Sequence, residues 1–182
     1  MKRSIGLIEM RSIAKGIEAA DAMLKAADIE LLRAHVVCPG KYIVLIAGDV
    51  GAVRSAVAAG EAVSPGLLVD SFILPNVHPS IFPALSAVTE VEHVRSLGIV
   101  ETFTLASAIM AADTAVKAAS IELLEIRLPF ALGGKAFAIF TGDVAAVQSA
   151  VDSAVNVLKD EGVIESYVVI ASPHKSLIEK ML

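Results

Sequence analysis

Ile29-Glu30-Leu31-Leu32 recurs unchanged as Ile121-Glu122-Leu123-Leu124, 92 residues further on. Working outward toward the N-terminus, the same spacing holds. Asp21, Lys25 and Ala26-Ala27 return as Asp113, Lys117 and Ala118-Ala119, and Ile5-Gly6-Leu7-Ile8-Glu9 returns as Leu97-Gly98-Ile99-Val100-Glu101. Toward the C-terminus the spacing grows to 94. Gly40-Lys41 matches Gly134-Lys135 and Gly48-Asp49 matches Gly142-Asp143, so the second copy carries two extra residues in the loop before Gly134. Val69-Asp70-Ser71-Phe72 pairs with Ile164-Glu165-Ser166-Tyr167. Self-similarity sustained in one order along the whole chain is the mark of a duplicated unit.

Each unit reads in the same way. Residues 4–9 form a short apolar strand. Ile13, Ile17, Ala20, Met23 and Leu24 recur at helical spacing behind Ser12, a good N-cap residue type. Ile29 to Val37 is a second strand, stopped by Pro39-Gly40, and Tyr42 to Ala47 is a third. Asp49, and Asp143 in the second copy, are expected to cap the next helix through their carboxylates. Leu67 to Leu74 is a fourth strand, followed by a short segment from His78 to Ser86. Strand, helix, strand, strand, helix, strand predicts an α+β chain of two ferredoxin-like domains, 1–90 and 91–182, each an antiparallel sheet with helices on one face. Glu90 to Ser96 is the expected polar link.

Composition points to assembly. Hydrophobic residues make up 55% of the 182 and charged residues 19%, with a net charge of −5 and a mean hydropathy of +0.72. No apolar run approaches the roughly 20 residues of a membrane span, and the N-terminal run is too short for a signal peptide. The excess apolar surface is therefore expected in contacts between subunits. A single cysteine, Cys38, permits no internal disulfide and agrees with a cytosolic chain. The net negative charge and the lack of a Lys/Arg cluster argue against nucleic acid as a partner.

The opening Ile5-Gly6-Leu7-Ile8-Glu9, the tract Ala19-Ala20-Asp21-Ala22-Met23-Leu24-Lys25-Ala26-Ala27 and Ala47-Gly48-Asp49-Val50 resemble the shell domains of bacterial microcompartments. Both copies begin at the Gly-x-x-Glu strand, so the resemblance is to a tandem, non-permuted shell protein. It implies a homotrimer of duplicated chains, a six-domain disc that imitates a hexamer and tiles beside hexameric shell proteins around an enzyme-filled lumen.

Cys38-Pro39-Gly40-Lys41 is similar to the loop of a duplicated member from propanediol-utilising compartments. That likeness implies a 4Fe-4S cluster, one per trimer, held at a central pore by Cys38 from three subunits, with an electron-relay or cluster-transfer role toward an encapsulated redox enzyme. Iron–sulfur clusters are held by Cys thiolates, usually four, so three chains would leave one iron open. On residues alone a lone cysteine is also read as a small buried hydrophobe. The resemblance lines the pore with Cys38, Pro39 and Gly40 from the first copy and Ala131, Leu132, Gly133 and Gly134 from the second.

Lys25 and Lys117, at matched helix ends, compensate the helix dipole on any reading; the resemblance adds a place at the disc edge, facing a neighbouring disc. His78 and His174 fall where the family carries a Pro-Arg-Pro-His edge motif, although neither copy here has the arginine. His35 is expected to be a satisfied core or interface group. The histidines lack metal-ligand spacing, and Gly133-Gly134-Lys135 lacks the spacing of a Walker loop. No catalytic constellation is recognised, and an enzyme with Cys38 as nucleophile is disfavoured because alternation puts His35 and Cys38 on opposite faces. The expected function is a non-enzymatic shell subunit. A small-molecule pore without a cluster, or a discrete trimeric sensor, are the alternatives.

Overall fold

The computed structural model describes residues 4–89, 91, 93–128 and 133–181. The chain divides into two compact units, Met1–Val77 and His78–Leu182. The first contains β1 (Ser4–Met10), α1 (Ile13–Ala26), β2 (Glu30–Val37), β3 (Lys41–Gly48), α2 (Val50–Val63) and β4 (Leu68–Pro75). The second contains α3 (Ile81–Leu85), β5 (Ser96–Thr102), α4 (Leu105–Ala118), β6 (Ile121–Arg127), β7 (Ala136–Gly142), α5 (Val144–Leu158), β8 (Ile164–Ile170) and α6 (Lys175–Met181). The sheets run β2-β3-β1-β4 and β6-β7-β5-β8, antiparallel throughout. This is the expected α+β fold, twice, with every principal element in its predicted place.

The sequence reading drew its boundary at residue 90. By contacts the division falls at Val77/His78, because α3 packs on β6 and α4. Ile81 and Ala84 are wholly buried there. Val91 and Val94, in the stretch read as a polar link, pack against a cluster of Leu97, Leu124 and Ile139, as does Met181 at the end of α6.

Capping follows the sequence in one half of each copy only. Ser12 Oγ accepts the Lys15 N–H at 3.4 Å, and Thr104 Oγ1 accepts that of Ser107 at 3.1 Å. Asp49 and Asp143 stand at the N-caps of α2 and α5, but their carboxylates make no capping bond, contrary to expectation. Their carbonyls start the helices, accepting from Val53 and Val147 at 2.9 Å. The Asp143 carboxylate is taken instead by the Arg95 guanidinium.

In the first unit the core lies between sheet and helices. Ile8, Met10, Val44 and Ile46 meet Ala19, Met23, Val53, Ala56 and Val57. Small residues let α1 approach closely: a Cβ on Gly16 would stand 2.5 Å from Tyr42 Cβ. The helical spacing correctly predicts α1. Its buried face, however, is Gly16, Ala19, Ala20 and Met23, while the larger Ile13, Ile17 and Leu24 stay exposed.

Among the described residues four bulges interrupt the ladders. The unpaired residues are Leu32 in β2, Val69 in β4, Leu124 in β6 and Glu165 in β8, so each bulge sits on an outer strand and recurs in both copies; the ladders match Val69 with Glu165, one position beyond the Ile164 that the sequence pairing gave it. The consecutive leucines of the repeated quartet are thus a bulge within each second strand.

Candidate pore turns and edge clusters

The turn Cys38-Pro39-Gly40 joins β2 to β3, with Val37 paired to Lys41 at its base. The Cys38–Pro39 peptide is cis, and Gly40 has φ +77°, a region that favours glycine. A Cβ on Gly40 would meet nothing within 4 Å, so backbone conformation and not space requires glycine there. Cys38 is a free thiol, half-buried, between buried Val37 and exposed Pro39 and Gly40. At the base of the turn the Lys41 ammonium pairs with Glu9, whose side chain is almost wholly buried in β1.

The second copy repeats this clamp. Lys135 Nζ lies 2.6 Å from Glu101 Oε1 and 3.4 Å from Glu165 Oε1. The hydrogen bond to Glu101, before any other influence, raises the lysine above its ordinary pKa. Gly133 and Gly134 both have positive φ, +65° and +93°. Ala131 and Leu132 lie outside the described residues. Sequence reasoning noted Glu9/Glu101 and Lys41/Lys135 as repeat markers without joining them. Their recurrence on either side of the turn in both copies was the available signal.

Among the described residues no group of three or more His, Cys, Asp or Glu side chains could hold a metal ion. His35 is exposed on the outer strand β2 of the single chain, so of the two places expected for it the core is excluded. At the far end of β6, Arg127 grips Glu125, with Nη2 to Oε2 at 2.5 Å, and lies 5.6 Å over the Phe137 ring. The Glu125 bond raises its pKa further. Arg127, Glu101 and Lys180 rim a cleft of about 480 Å³ floored by Ile99, Phe137 and Ile139.

The edge residues are built differently in the two copies. Lys25 Nζ meets Asp21 at 2.5 Å, both well exposed. Lys117 meets Asp113 at the same distance, but this carboxylate is buried, and its other oxygen accepts the His78 N–H at 2.8 Å. Lys117, Asp113 and His78 thus form one cluster. His78 Nδ1 lies 2.7 Å from Ser80 Oγ and accepts the Ser80 N–H at 3.3 Å. His174 Nδ1 accepts the Ser176 N–H at 3.2 Å. Each histidine ring thereby steadies the start of a short helix.

Each copy is thus a βαββαβ unit with a glycine-bearing turn between its second and third strands. The BMC domain matches residues 4–77 and 96–173. The chain belongs to the BMC-domain family of shell proteins. It is a tandem-domain shell subunit of a bacterial microcompartment, a body that lies in the bacterial cytoplasm. Among its relatives is the bacterial microcompartment shell protein PduT of Citrobacter freundii, 43% identical over 182 residues, all of this chain and 99% of that one. The carboxysome shell protein CsoS1 of Prochlorococcus marinus is 43% identical over 86 residues, covering 45% of this chain and 82% of its own. A crystal structure of a microcompartments protein from Desulfitobacterium hafniense shares 53% identity and superposes with a TM-score of 0.94 over 98% of this chain and 99% of that one. The BMC family is structural rather than catalytic. No helix among the described residues is long and apolar enough to cross a membrane.

Proposed function

We propose that three copies of this BMC protein form a six-domain disc that tiles with hexameric shell proteins, and that the Cys38 turns meet at its central pore. There the three thiolates hold one 4Fe-4S cluster, which supplies one-electron chemistry across the shell, toward an encapsulated redox enzyme. The observation that carries this reading is the half-buried free thiol at the tip of a turn otherwise exposed, in a chain alike over its full length to PduT. The residues fit such a group in one way only. One chain offers one sulfur, so the ligands must be shared between copies. The Glu9–Lys41 pair holds the base of the turn, and Pro39 and Gly40 set the direction in which the thiol leaves it. Lys25 and Lys117, with His78 and His174, lie at the disc edge. The role is structural and electron-conducting, with no catalysed reaction.

The test is native mass spectrometry of protein purified and reconstituted without oxygen, beside Cys38→Ser. A trimer carrying the mass of one cluster, and a bare Cys38→Ser trimer, is the expected result. Iron retained by the variant overturns the ligand assignment. A bare wild-type trimer leaves a pore for small molecules, and a monomer removes the basis for a three-fold pore.

A further inference from the structure

The two copies differ in how one matched stripe is covered. On α4 and β6, Ile109 and Leu123 are 0% and 1% exposed; their counterparts on α1 and β2, Ile17 and Leu31, are 54% and 38% exposed. Ile13 and Leu24 continue the exposed stripe, and Asp21 sits within it. In the second unit α3 lies against both α4 and β6. Ahead of it, the His78 N–H is donated to the carboxylate of Asp113, the counterpart of Asp21.

By sequence α3 follows the last strand of the first copy. The tract after the last strand of the second copy repeats it: His174-Lys175-Ser176-Leu177 answers His78-Pro79-Ser80-Ile81. The backbone bonds recur as well. Leu177 N–H donates to the His174 carbonyl at 2.9 Å as Ile81 N–H does to that of His78 at 3.0 Å. The ring bond recurs on Ser176 and Ser80. The environment does not recur. Ile81 is fully buried, whereas Leu177 is 45% exposed, and α6 has no buried residue. Met181, in the place of Leu85, packs against the cluster on its own sheet, which anchors α6 while Leu177 stays uncovered. Among the described residues the His174 N–H has no acceptor.

We infer that His174–Met181 of one chain docks on the α1–β2 stripe of a second copy, with Leu177 where Ile81 lies in the second unit and the His174 N–H donating to Asp21. The sequence repeat names the occupant, because the tract and the stripe are second editions of a pair already joined within the chain. Each chain then offers one tract and one stripe, a heterologous contact that grows head to tail and closes into a ring. Burial of Ile17, Leu31 and Leu177 accounts for part of the apolar surface a separate chain leaves exposed. This inference deepens the assembly reading above and rests on it.

Ile17→Glu and Leu177→Glu, made separately in the full chain, test it by native mass spectrometry and light scattering, with circular dichroism as the check on folding. Both side chains are exposed in the single chain, so folding is expected to survive. The expected result is a wild-type trimer, at least a hundredfold weaker association for each variant, and a 1:1 dimer when the variants are mixed, since one intact tract and one intact stripe remain. Asp21→Ala, the milder companion, weakens association about tenfold. If the wild type and both glutamate variants are equally trimeric, the docking is refuted while the trimer stands. A monomeric wild type refutes the assembly reading as well.

Discussion

Three helical glycines differ in what a methyl group would meet, and replacing each by alanine grades the packing of helix on sheet. Ala exceeds Gly in helix propensity by about 1 kcal/mol, so the sign of each change depends on the steric cost opposing that gain. At Gly51, in the first turn of α2, a Cβ would meet nothing within 4 Å, and the expected change is a stabilisation of about 0.5–1 kcal/mol. At Gly60 the new carbon would lie 2.8 Å from Met23 Cγ and 2.9 Å from Met23 Sδ and Ile8 Cδ1. These are far ends of flexible side chains, so the cost roughly cancels the gain, and a net change within about 1 kcal/mol of zero is expected. At Gly16 the obstacle is Tyr42 Cβ at 2.5 Å, an atom fixed to the β3 backbone. Ordinary carbon contacts are about 3.5–4.0 Å, so α1 must lift from the sheet by about 1 Å, loosening Ala19 and Met23 with it. Overpacking of this kind costs about 1–3 kcal/mol before the lost contacts. A net destabilisation of about 1–2 kcal/mol follows, or a fall in Tm of about 2–8 °C for a chain this size. Urea midpoints and thermal melts at one fixed protein concentration read the series, since assembly adds to apparent stability. Wild-type stability in Gly16→Ala, or a larger loss in Gly60→Ala, would refute the reasoning.

Glu9→Ala leaves the half-buried Lys41 ammonium without its partner and is expected to cost about 1–3 kcal/mol, below the full range for buried pairs because the lysine keeps some water. The more exposed equivalent, Glu101→Ala, costs under about 1 kcal/mol, and urea midpoints compare the two. Asp113→Ala orphans the His78 N–H and releases Lys117, for a loss of about 1–3 kcal/mol, and hydrogen exchange across residues 78–85 speeds up. Equal protection in the variant counts against the docking role of that carboxylate. The folded-state pKa of Lys135 is raised by Glu101, so its contribution is fully present below the ordinary lysine pKa and is lost as pH rises through the raised value. Thermal melts across the alkaline range check this: Lys135→Met flattens that loss, and an unchanged alkaline limb opposes it.

The fold was legible because duplication shows every pattern twice. Helical spacing, the Ser12 cap and the Pro39-Gly40 stop depend on neighbours along the chain, and they fell where local chemistry put them. What depends on distant partners was harder to read. Asp143 is a capping residue type, but Arg95, 48 positions away, takes its carboxylate. Periodicity found α1 without showing that its glycine and alanines, and not its isoleucines, face the sheet. The segment from His78 to Ser86 carries no local mark of the unit it packs on, which the burial of Ile81 and Ala84 and the bond to the Asp113 carboxylate show. Of the candidate site, the Cys38 turn and the positive φ at Gly40, Gly133 and Gly134 were within reach of sequence. The Glu9–Lys41 clamp needed two facts held together, and whether His35 lay in the core turned on the strand order of the sheet, which no local pattern carries.

The four bulges bear on how such a chain can be both apolar and sociable without precipitating. An outer strand is a row of open backbone donors and acceptors, a template on which any other strand can zip into an endless ribbon. Within their own sheets the outer strands are β2, β4, β6 and β8, and each carries one unpaired residue that kinks the row and breaks its regular spacing. Flat fibrous stacking is thereby discouraged at every edge, leaving contacts made by side-chain shape as the means of association. A chain this rich in apolar residues is in this way kept from joining copies of itself strand to strand.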